Sequence, residues 1–498
     1  MNVLVFNFSW PLLSTLVFLP LVGALILFLM RSDRAAKIWT LAVTLFNAAL
    51  SLQLYTGFNA ATAQYQFAED LAWIPSLHIR YTLGVDGISL LLVLLTTLLM
   101  PLCVLCSWRA ISVRVKEFLA CILLMEAAML GVFVALDFVL FYIFWEAMLI
   151  PMFLLIGVWG GPRKIYASVK FFLYTLAGSV LLPVAIIALY LHSTPHTFSI
   201  PALMGQPYSA ALQAGLFLAF FVAFAIKVPM FPFHTWLPAA HVEAPTAGSV
   251  LLASVLLKMG AYGFLRFCLP MTPLGVVTFA PYVLALSVAG IIYGGLTALA
   301  QSDMKRLVAY SSVAHMGFVT LGIFVLNTRG VEGALLQMIN HGITTGALFL
   351  CVGIIYERTH SRELSAATGI GRAMPAYVTA LAFFGLSSFA FPGTNNFVGE
   401  FLVLAGSFAF SSKLAALAIP GVVLSAAYML RMLQRMIWGG TNNPASSHLM
   451  DLNAREIITL VPLLLFVFWI GLLPAPFMNV FHVSVSHLLQ QFHAGLHP

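Results

Sequence analysis

The chain is a succession of long apolar segments, each about the length that crosses a lipid bilayer as a helix. The hydrocarbon core of a bilayer is about 30 Å thick, and a helix needs about 20 residues to span it. Hydrophobic residues make up 61% of the chain and charged residues only 8%, a composition unlike that of soluble domains. Because backbone polar groups in lipid must be paired internally, these segments should be helical. The sequence predicts an all-α, polytopic membrane protein with about 14 transmembrane helices.

The apolar runs place these helices along nearly the whole chain. Residues 58–84 are predicted to form a loop, and residues 481–498 a short tail that carries histidines. The first run is too long for the core of a signal peptide and lacks a basic start, so we predict a retained first helix. The predicted spans are 10–30, 38–57, 85–107, 118–136, 138–158, 169–192, 212–236, 247–269, 275–300, 306–326, 330–356, 375–410, 413–437 and 456–480.

The Lys and Arg residues are distributed unequally between the two ends of these spans. Seventeen of the 23 fall at one set of helix ends, which we call the basic side; Arg31, Arg114 and Lys305 are examples. Since loops rich in Lys and Arg stay in the cytoplasm, both termini are predicted to lie on the outer side of the membrane. The net charge of +7 therefore reflects topology. We expect the lipid bilayer, and no nucleic acid, as a partner.

Proline interrupts two of the spans. One break follows Lys227 at Pro229 and Pro232, and the other lies at Pro392. Proline removes a backbone donor and clashes with the preceding turn, and broken helices at membrane depth line binding sites or cavities. Five helices that include the first break precede five that include the second. Because five is odd, the second set is predicted to be inverted relative to the first.

This pattern predicts two inverted five-helix repeats, each with a broken helix. The spacing of charged residues agrees with it, because 81 residues separate Glu146 from Lys227 and 85 separate His315 from Glu400. The predicted units are helices one to three in residues 1–117, the first repeat in 118–269, the second repeat in 270–437, and the last transmembrane helix with a short tail in 438–498.

Seven ionisable side chains lie near the middle of apolar spans. They are Glu126, Glu146, Lys227, Lys258, His315, His341 and Glu400. A charge at bilayer depth is costly, so an intramembrane ionisable residue is by default a hypothesis of function. About ten helical residues reach the bilayer centre, so these side chains are predicted to form a layer in the membrane plane. Carboxylates, amines and imidazoles together can bind and pass protons, and we predict a proton relay.

Polar residues at helical spacing accompany two of these groups. Ser254 and Tyr262 lie one turn on either side of Lys258, and Gln337 lies one turn before His341. Such faces favour a hydrated interior around the relay. The competing interpretation is that the hydroxyl groups bond to their own helices and only fill space.

Glu146 and Lys227 are predicted to act as a coupling pair. A neighbouring carboxylate favours the protonated amine and burial disfavours it, so a change in their separation would load or release a proton. The competing interpretation is a purely structural pair. For Glu126, a relay role and a supporting role stay open.

The histidines allow two further interpretations. His315 and His341 could serve as paired haem ligands instead of proton carriers. His234, His241 and Glu243 lie at the basic-side end of a broken helix. Their position agrees equally well with a role in a loop or gate and with a role in proton chemistry.

The cysteines are expected to be buried, reduced thiols. All five lie within or beside apolar runs, and the one CxxC pair has no second pair to complete a metal site. We therefore predict no metal site in the chain. The five are Cys103, Cys106, Cys121, Cys268 and Cys351.

Several motifs together carry a resemblance to a known family. They are FWE at 144–146, HTWLP at 234–238, AHVEAPTAGSV at 240–250, LLKMG at 256–260, DMKR at 303–306 and NHG at 340–342. Over nearly its whole length, the chain resembles the antiporter-like M-type subunits of proton-pumping NADH:quinone oxidoreductase, respiratory complex I, whose mitochondrial counterpart is subunit 4.

The resemblance implies roles for individual residues. Glu146 and Lys227 correspond to the coupling pair of the family, and Lys258 to its central relay lysine.

In the second half of the chain, the resemblance makes His315 and His341 the bridging histidines and Glu400 the terminal residue. A glutamate at this last position is typical of the M type, since L and N types are expected to have lysine there. Ala239 departs from the family, in which many members have aspartate, and this affects how the gate at the basic side is polarised.

The resemblance also implies a setting for the chain. It would be a proton-translocating subunit of the enzyme in a bacterial plasma membrane, driven by quinone reduction elsewhere in the complex. The other membrane subunits, notably the L and N types, would be its partners. NADH, FMN, iron–sulfur clusters and quinone would be bound by partner subunits, with no cofactor in this chain. The alternative is a subunit of a multisubunit cation/proton antiporter.

Overall fold

The structure is a bundle of long helices with a β-hairpin on one side. It is a computed structural model that describes residue 4 and residues 10–439 and 449–496, so the predicted outer position of the two termini falls outside the described residues. The strands are β1 (Gln66–Ile74) and β2 (Ile79–Val85). The first eight helices are α1 (Leu12–Leu27), α2 (Asp33–Gly57), α3 (Gly87–Ala110), α4 (Val115–Val134), α5 (Phe138–Trp159), α6 (Lys164–His192), α7 (Ala210–Lys227) and α8 (Trp236–Glu243).

The remaining helices lead from the centre of the bundle to its last helix. They are α9 (Thr246–Met271), α10 (Pro273–Leu299), α11 (Met304–Phe324), α12 (Thr328–Thr359), α13 (Pro375–Ser388), α14 (Asn395–Phe410), α15 (Ser412–Trp438), α16 (Ala454–Leu472) and α17 (Ala475–Ala494). Single non-helical residues interrupt α5, α6 and α15. Two π-helical segments, Leu252–Leu256 and Phe264–Cys268, lie within α9.

The helices agree with the predicted spans. Within the described residues, 12 helical segments are long and apolar enough to cross a membrane, and α1 and α13 are shorter apolar helices. The all-helical, polytopic class is therefore confirmed, while the number of fourteen crossings and the division into repeats stay predictions. The most apolar stretches of α9 and α12 are completely buried within the protein. These two helices therefore form its centre.

Both predicted helix breaks are present. The first separates α7, which ends at Lys227, from α8, and the indole Nε1 of Trp236 donates to the carbonyl of Ile226 across the gap (2.8 Å). The second lies between α13 and α14, where Gly393 has a φ of 92°, a conformation that glycine adopts without steric cost. Each break leaves a polar side chain at a helix end inside the bundle.

The segment predicted as a loop, 58–84, contains nearly all of the β-hairpin, so that prediction was wrong for residues 66–84. The two strands pair antiparallel, from Gln66 opposite Val85 to Ile74 opposite Ile79. Strands of nine and seven residues are too short to give the long apolar runs from which the membrane spans are predicted. We call this end of the protein the hairpin side.

The hairpin is fastened to the first helix by Glu69. Its carboxylate accepts hydrogen bonds from the backbone N–H groups of Leu13 (2.7 Å) and Ser14 (3.2 Å), and the Ser14 hydroxyl donates to it as well. These N–H groups are at the start of α1, where the helix itself provides no acceptor. Glu69 thus caps a helix from a strand 55 residues away.

Replacing Glu69 with alanine should loosen this connection. The loss of a helix cap costs about 1–2 kcal/mol, so we expect a lower midpoint of thermal inactivation for the purified complex. Glu117→Ala is the matched control, because Glu117 pairs with Arg114 at an exposed position, where ion pairs contribute little. Equal midpoints for the two variants would contradict the capping role.

The end of the chain also differs from prediction. The last predicted span, 456–480, is interrupted after Leu472, and residues 481–494 of the predicted tail belong to α17, which packs against α3 and α12. The Ser484 hydroxyl accepts a hydrogen bond from the Gly87 N–H (3.1 Å). A Cβ at Gly87 would lie 2.2 Å from the carbonyl oxygen of Val480, so only glycine allows this approach. The buried apolar residues of α17 recur at helical spacing, which is typical of a helix that packs on one face.

Candidate functional site

The centre of the protein holds a direct contact between a lysine and a histidine. Lys258 on α9 and His341 on α12 are both fully buried, and Lys258 Nζ lies 2.6 Å from His341 Nδ1. Lys258 also donates to the carbonyl of Ala253. Lys258 follows the first π-helical segment of α9, a type of distortion that is frequent at functional sites. These two residues share one proton-binding site between them.

A second contact of the same kind joins His315 on α11 to Glu400 on α14. His315 Nδ1 lies 2.7 Å from Glu400 Oε1, and both side chains are buried. The other ring nitrogen of His315 faces the Tyr428 hydroxyl at 3.3 Å and the Ser388 hydroxyl at 3.5 Å. The histidine is therefore held between a carboxylate and two hydroxyl groups.

The two contacts form one line across the bundle. The ring centroids of His315 and His341 are 5.7 Å apart, so the two imidazole rings are direct neighbours. The line therefore runs from Lys258 through both histidines to Glu400. The structure brings these four predicted residues together.

Amide and hydroxyl groups surround the line. Gln337 Nε2 donates to Glu400 Oε1 (3.1 Å). At the second helix break, the Asn395 side-chain oxygen accepts hydrogen bonds from Ser387 (2.6 Å) and Thr344 (3.2 Å). Asn395 thus joins the end of α13 to α12 and places the start of α14, which carries Glu400.

Several buried atoms along the line have no hydrogen-bond partner within the described part of the chain. They are His341 Nε2, Glu400 Oε2, Gln337 Oε1 and Asn340 Oδ1. A buried polar atom that makes no hydrogen bond costs free energy, and such atoms in native proteins call for a specific explanation. Each of them can bind a water or take part in proton transfer. The line can therefore form further hydrogen bonds besides those between its own residues.

Glu146 and Lys227 lie near each other without forming an ion pair. Lys227 is buried, and its Nζ has no hydrogen-bond partner but lies 5.2 Å from the centroid of the Trp145 ring. Glu146, on α5, is partly buried, and its Oε1 also has no partner. Lys227 Nζ therefore lies beside the residue that directly precedes Glu146 in the chain. A small movement of α5 or α7 would therefore change their interaction.

Glu126 is placed apart from the line. It is fully buried on α4, and its partner is Asn47 on α2, whose Nδ2 donates to Glu126 Oε1 (2.8 Å). The predicted layer of seven ionisable groups is therefore separated into a line of four, a loose pair and one isolated carboxyl group.

The three polar residues in and just before α8 have different surroundings. Glu243 accepts a hydrogen bond from the Arg163 N–H (3.0 Å). His241 is fully buried and stacks on Phe349, with ring centroids 4.6 Å apart. His234 is buried beside the aromatic ring of Tyr293.

Several residues of the site were missed by the sequence analysis. Asn47, Ser388 and Tyr428 contact the predicted residues from helices far away in the chain, and Asn395 bonds to Ser387 at the second helix break. Polarity within an apolar span was the one signal that could have found them. It does not say which residue faces which.

The cysteines and histidines provide no metal centre within the described residues. All five cysteines are free, and no group of three or more His, Cys, Asp or Glu side chains is placed to hold a metal ion. The hydrogen bonds also do not favour the haem interpretation, because His315 and His341 each use Nδ1 to bind Glu400 or Lys258.

Comparison with known proteins agrees with this architecture. Residues 135–426 match the family described as NADH:quinone oxidoreductase/Mrp antiporter, TM. The chain is 49% identical to the NADH-quinone oxidoreductase subunit M of Rhodobacter capsulatus, covering 97% of this chain and 98% of that protein. It is 44% identical to the NADH-ubiquinone oxidoreductase chain 4 of Chondrus crispus, covering 98% and 99% of the two chains.

A solved structure extends the agreement to three dimensions. The chain superimposes on a subunit of respiratory complex I from Thermus thermophilus with a TM-score of 0.89 and 31% identity, covering 96% of this chain and 99% of that one. The relatives named subunit M or chain 4 match at full length, which favours this type over the antiporter alternative. The chain therefore belongs to the NADH:quinone oxidoreductase/Mrp antiporter membrane family, as a member of its subunit M, or chain 4, branch.

Proposed function

We propose that this chain translocates protons through the membrane arm of an NADH:quinone oxidoreductase by way of the line from Lys258 to Glu400. The observation that carries the proposal is the sequence of close contacts between buried proton-binding groups, at 2.6 Å for Lys258 with His341 and 2.7 Å for His315 with Glu400. Neutral lysine, imidazole and carboxylate all accept protons, and their protonated forms release them.

The chemistry of each step follows from the groups in contact. The Lys258 ammonium gives a proton to His341 Nδ1, and the imidazole can release another from Nε2. A bridging water can carry that proton to His315, which shares it with Glu400. The side chains of this line thus exchange protons without any redox chemistry of their own.

Glu146 and Lys227 are proposed to control the loading of this line. Moving one elementary charge against 100 mV requires about 2.3 kcal/mol. A change in the distance between two charges in a low-dielectric interior can alter proton affinity on that scale. Their present separation, with no ion pair, supports a state in which Lys227 is free to give up its proton.

The setting of the subunit follows from its membership in this family. It is a multi-pass membrane subunit of an enzyme complex that oxidises NADH and reduces quinone. We propose that NADH, FMN, iron–sulfur clusters and quinone are bound by other subunits, and that the neighbours in the membrane include the L and N types. We place the complex in a bacterial plasma membrane with both termini of this chain on the outer side, in keeping with the excess of Lys and Arg on the basic side.

The loading pair is tested by Glu146→Ala beside Lys227→Ala in inverted membrane vesicles. With assembly confirmed by native gel, we expect NADH-driven proton pumping to fall at least several-fold in both variants, because each removes one charge of the interacting pair. Glu117→Ala serves as the control on an exposed carboxylate. Pumping near the wild-type rate in both assembled variants would make the pair structural.

A further inference from the structure

Glu126 is a buried acid that the proposed line of proton carriers does not use. Its Oε1 accepts one hydrogen bond, from Asn47 (2.8 Å), and the same amide nitrogen also donates to the carbonyl of Leu16 (3.2 Å). No ion pair among the described residues includes Glu126. The Cys103 thiol on α3 also lies within electrostatic reach of this carboxyl group. Glu126 is therefore not a supporting partner of the line.

Among the described residues, one hydrogen bond from the neutral Asn47 amide is all that stabilises a negative charge on Glu126. Its Oε2 and the Asn47 side-chain oxygen are both buried without a partner. An ionised carboxylate held by a single neutral donor in apolar surroundings is strongly disfavoured. A protonated acid needs far less stabilisation, so the neutral form is the one that this site fits.

A polar face of α2 leads from the basic side to this acid. Thr40, Thr44, Asn47 and Ser51 follow at spacings of four, three and four residues, which places them on one side of the helix, and all four are buried. This face covers about 16 Å along the helix axis. It begins one turn after Lys37, whose ammonium group donates to the carbonyl of Trp108 (2.7 Å). The threonine hydroxyls donate to their own helix, which leaves their oxygen lone pairs able to accept.

The position of Glu126 in the chain also separates it from the line. The family match begins at residue 135, so it includes Glu146 and Glu400 but not Glu126. Its hydrogen-bond partner Asn47 and the rest of the polar face of α2 precede the matched region as well. The acid and its polar face therefore belong to the N-terminal part of the subunit.

From these contacts we propose that Glu126 and Asn47 form a second proton-binding site, separate from the line. In this site a neutral carboxylic acid exchanges its proton with the basic side along the polar face of α2. The acid releases one proton to this face and becomes a carboxylate, and it takes one proton back, so no other group is oxidised, reduced or modified. The ligand of the site is the proton itself.

The test is infrared difference spectroscopy of the assembled complex during a pH change. We expect a carboxylic acid C=O band that is present in wild type and absent in Glu126→Gln. In Asn47→Leu the band should persist and move to higher frequency, because the carboxyl group loses its donor. Glu117→Gln, at an exposed position, should leave the band unchanged.

The outcomes separate the proposal from a structural role. An identical spectrum in wild type and Glu126→Gln would overturn it. If Glu126→Gln does not assemble, the shift in Asn47→Leu decides, and an unshifted band would again overturn the site. These results concern a spectral band, so they are independent of the pumping rates that test the Glu146 and Lys227 pair.

The access route has its own measurement. Thr44→Val removes the hydroxyl that lies one turn before Asn47, and we expect at least tenfold slower hydrogen–deuterium exchange of the Glu126 carboxyl band. Thr278→Val is the matched control, since Thr278 is exposed and bonds only to its own helix (2.8 Å to the Leu274 carbonyl). An unchanged exchange rate in Thr44→Val would exclude the α2 face as the route.

Discussion

Replacing Lys258 with methionine should abolish proton pumping by the assembled complex. Methionine has a similar length but no proton to give, so His341 would lose its partner at 2.6 Å, and the line would begin with an uncharged side chain. We expect NADH-driven pumping in inverted vesicles to fall at least about tenfold, together with the coupled quinone reductase activity.

A second substitution at the same position separates a proton carrier from a fixed charge. Lys258→Arg keeps the positive charge, but arginine does not release its proton in proteins. If Lys258 transfers protons, the arginine variant should be as inactive as the methionine variant. If arginine restores pumping, the residue supplies only charge and the proposed transfer is wrong.

The control for both variants is an exposed lysine. Lys413→Met makes the same chemical change near the start of α15, at an exposed position. It should pump at the wild-type rate. Native gels of all three variants show whether the complex has assembled, so loss of transport is distinguished from loss of the protein.

Replacing Asp86 with asparagine should severely destabilise the subunit. Asp86 and Arg266 form a buried ion pair on the hairpin side, with two contacts of 2.6 and 2.8 Å between the guanidinium and the carboxylate. Removing one charge of a buried pair leaves the other unpaired and costs about 3–5 kcal/mol. Because asparagine can still cap the start of α3, the variant removes the charge and keeps the cap.

The amount of assembled complex and its midpoint of thermal inactivation measure this effect. We expect both to fall strongly in Asp86→Asn. Asp70→Asn is the control, because Asp70 pairs with Arg80 at the surface (2.7 Å), and an exposed pair contributes at most about 1 kcal/mol. Equal stability of the two variants would contradict the structural importance of the Asp86 pair.

A double variant examines the same pair from the other direction. Asp86→Leu combined with Arg266→Met removes both charges and leaves no unpaired group. Buried pairs replaced by apolar residues are often neutral or even stabilising, so the double variant should be more stable than Asp86→Asn. If it is equally unstable, the neighbouring hydroxyls of Tyr65 and Tyr262, which contact Arg266, depend on the guanidinium.

The helices and their breaks could be predicted because their signals are local. A run of about 20 apolar residues predicts a membrane-spanning helix, and Pro229 or Pro392 predicts a break in it. Each prediction needs only the residues of that segment. The hairpin at 66–85 and helix α17 were not predicted, because both are amphipathic segments that pack on one face only. Their apolar residues are covered by α1, α3 and α12, and this cover is not visible in the segment itself.

The sequence predicted the individual residues of the candidate site, but it did not predict which of them contact each other. Depth in the membrane follows from the rise of 1.5 Å per residue, so Lys258, His341 and Glu126 could all be placed near the centre. Depth alone assigned Glu126 to the same layer as the others. In the structure, Glu126 points towards α2 and Lys258 points towards α12. This difference in side-chain direction separates Glu126 from the line.

The sequence by itself determined that this protein is a helical membrane protein, where its helices are interrupted, and which ionisable residues are buried at the depth of the bilayer. Hydropathy and helical rise are properties of a single segment, so both can be obtained from the sequence of that segment without knowing its neighbours in the fold. Only the tertiary structure decided that Lys258 meets His341, that His315 meets Glu400, and that Glu126 stands alone with Asn47. These partners lie 79–85 residues apart in the chain. The rotation of each helix about its own axis, which brings them together, is determined by packing against its neighbours.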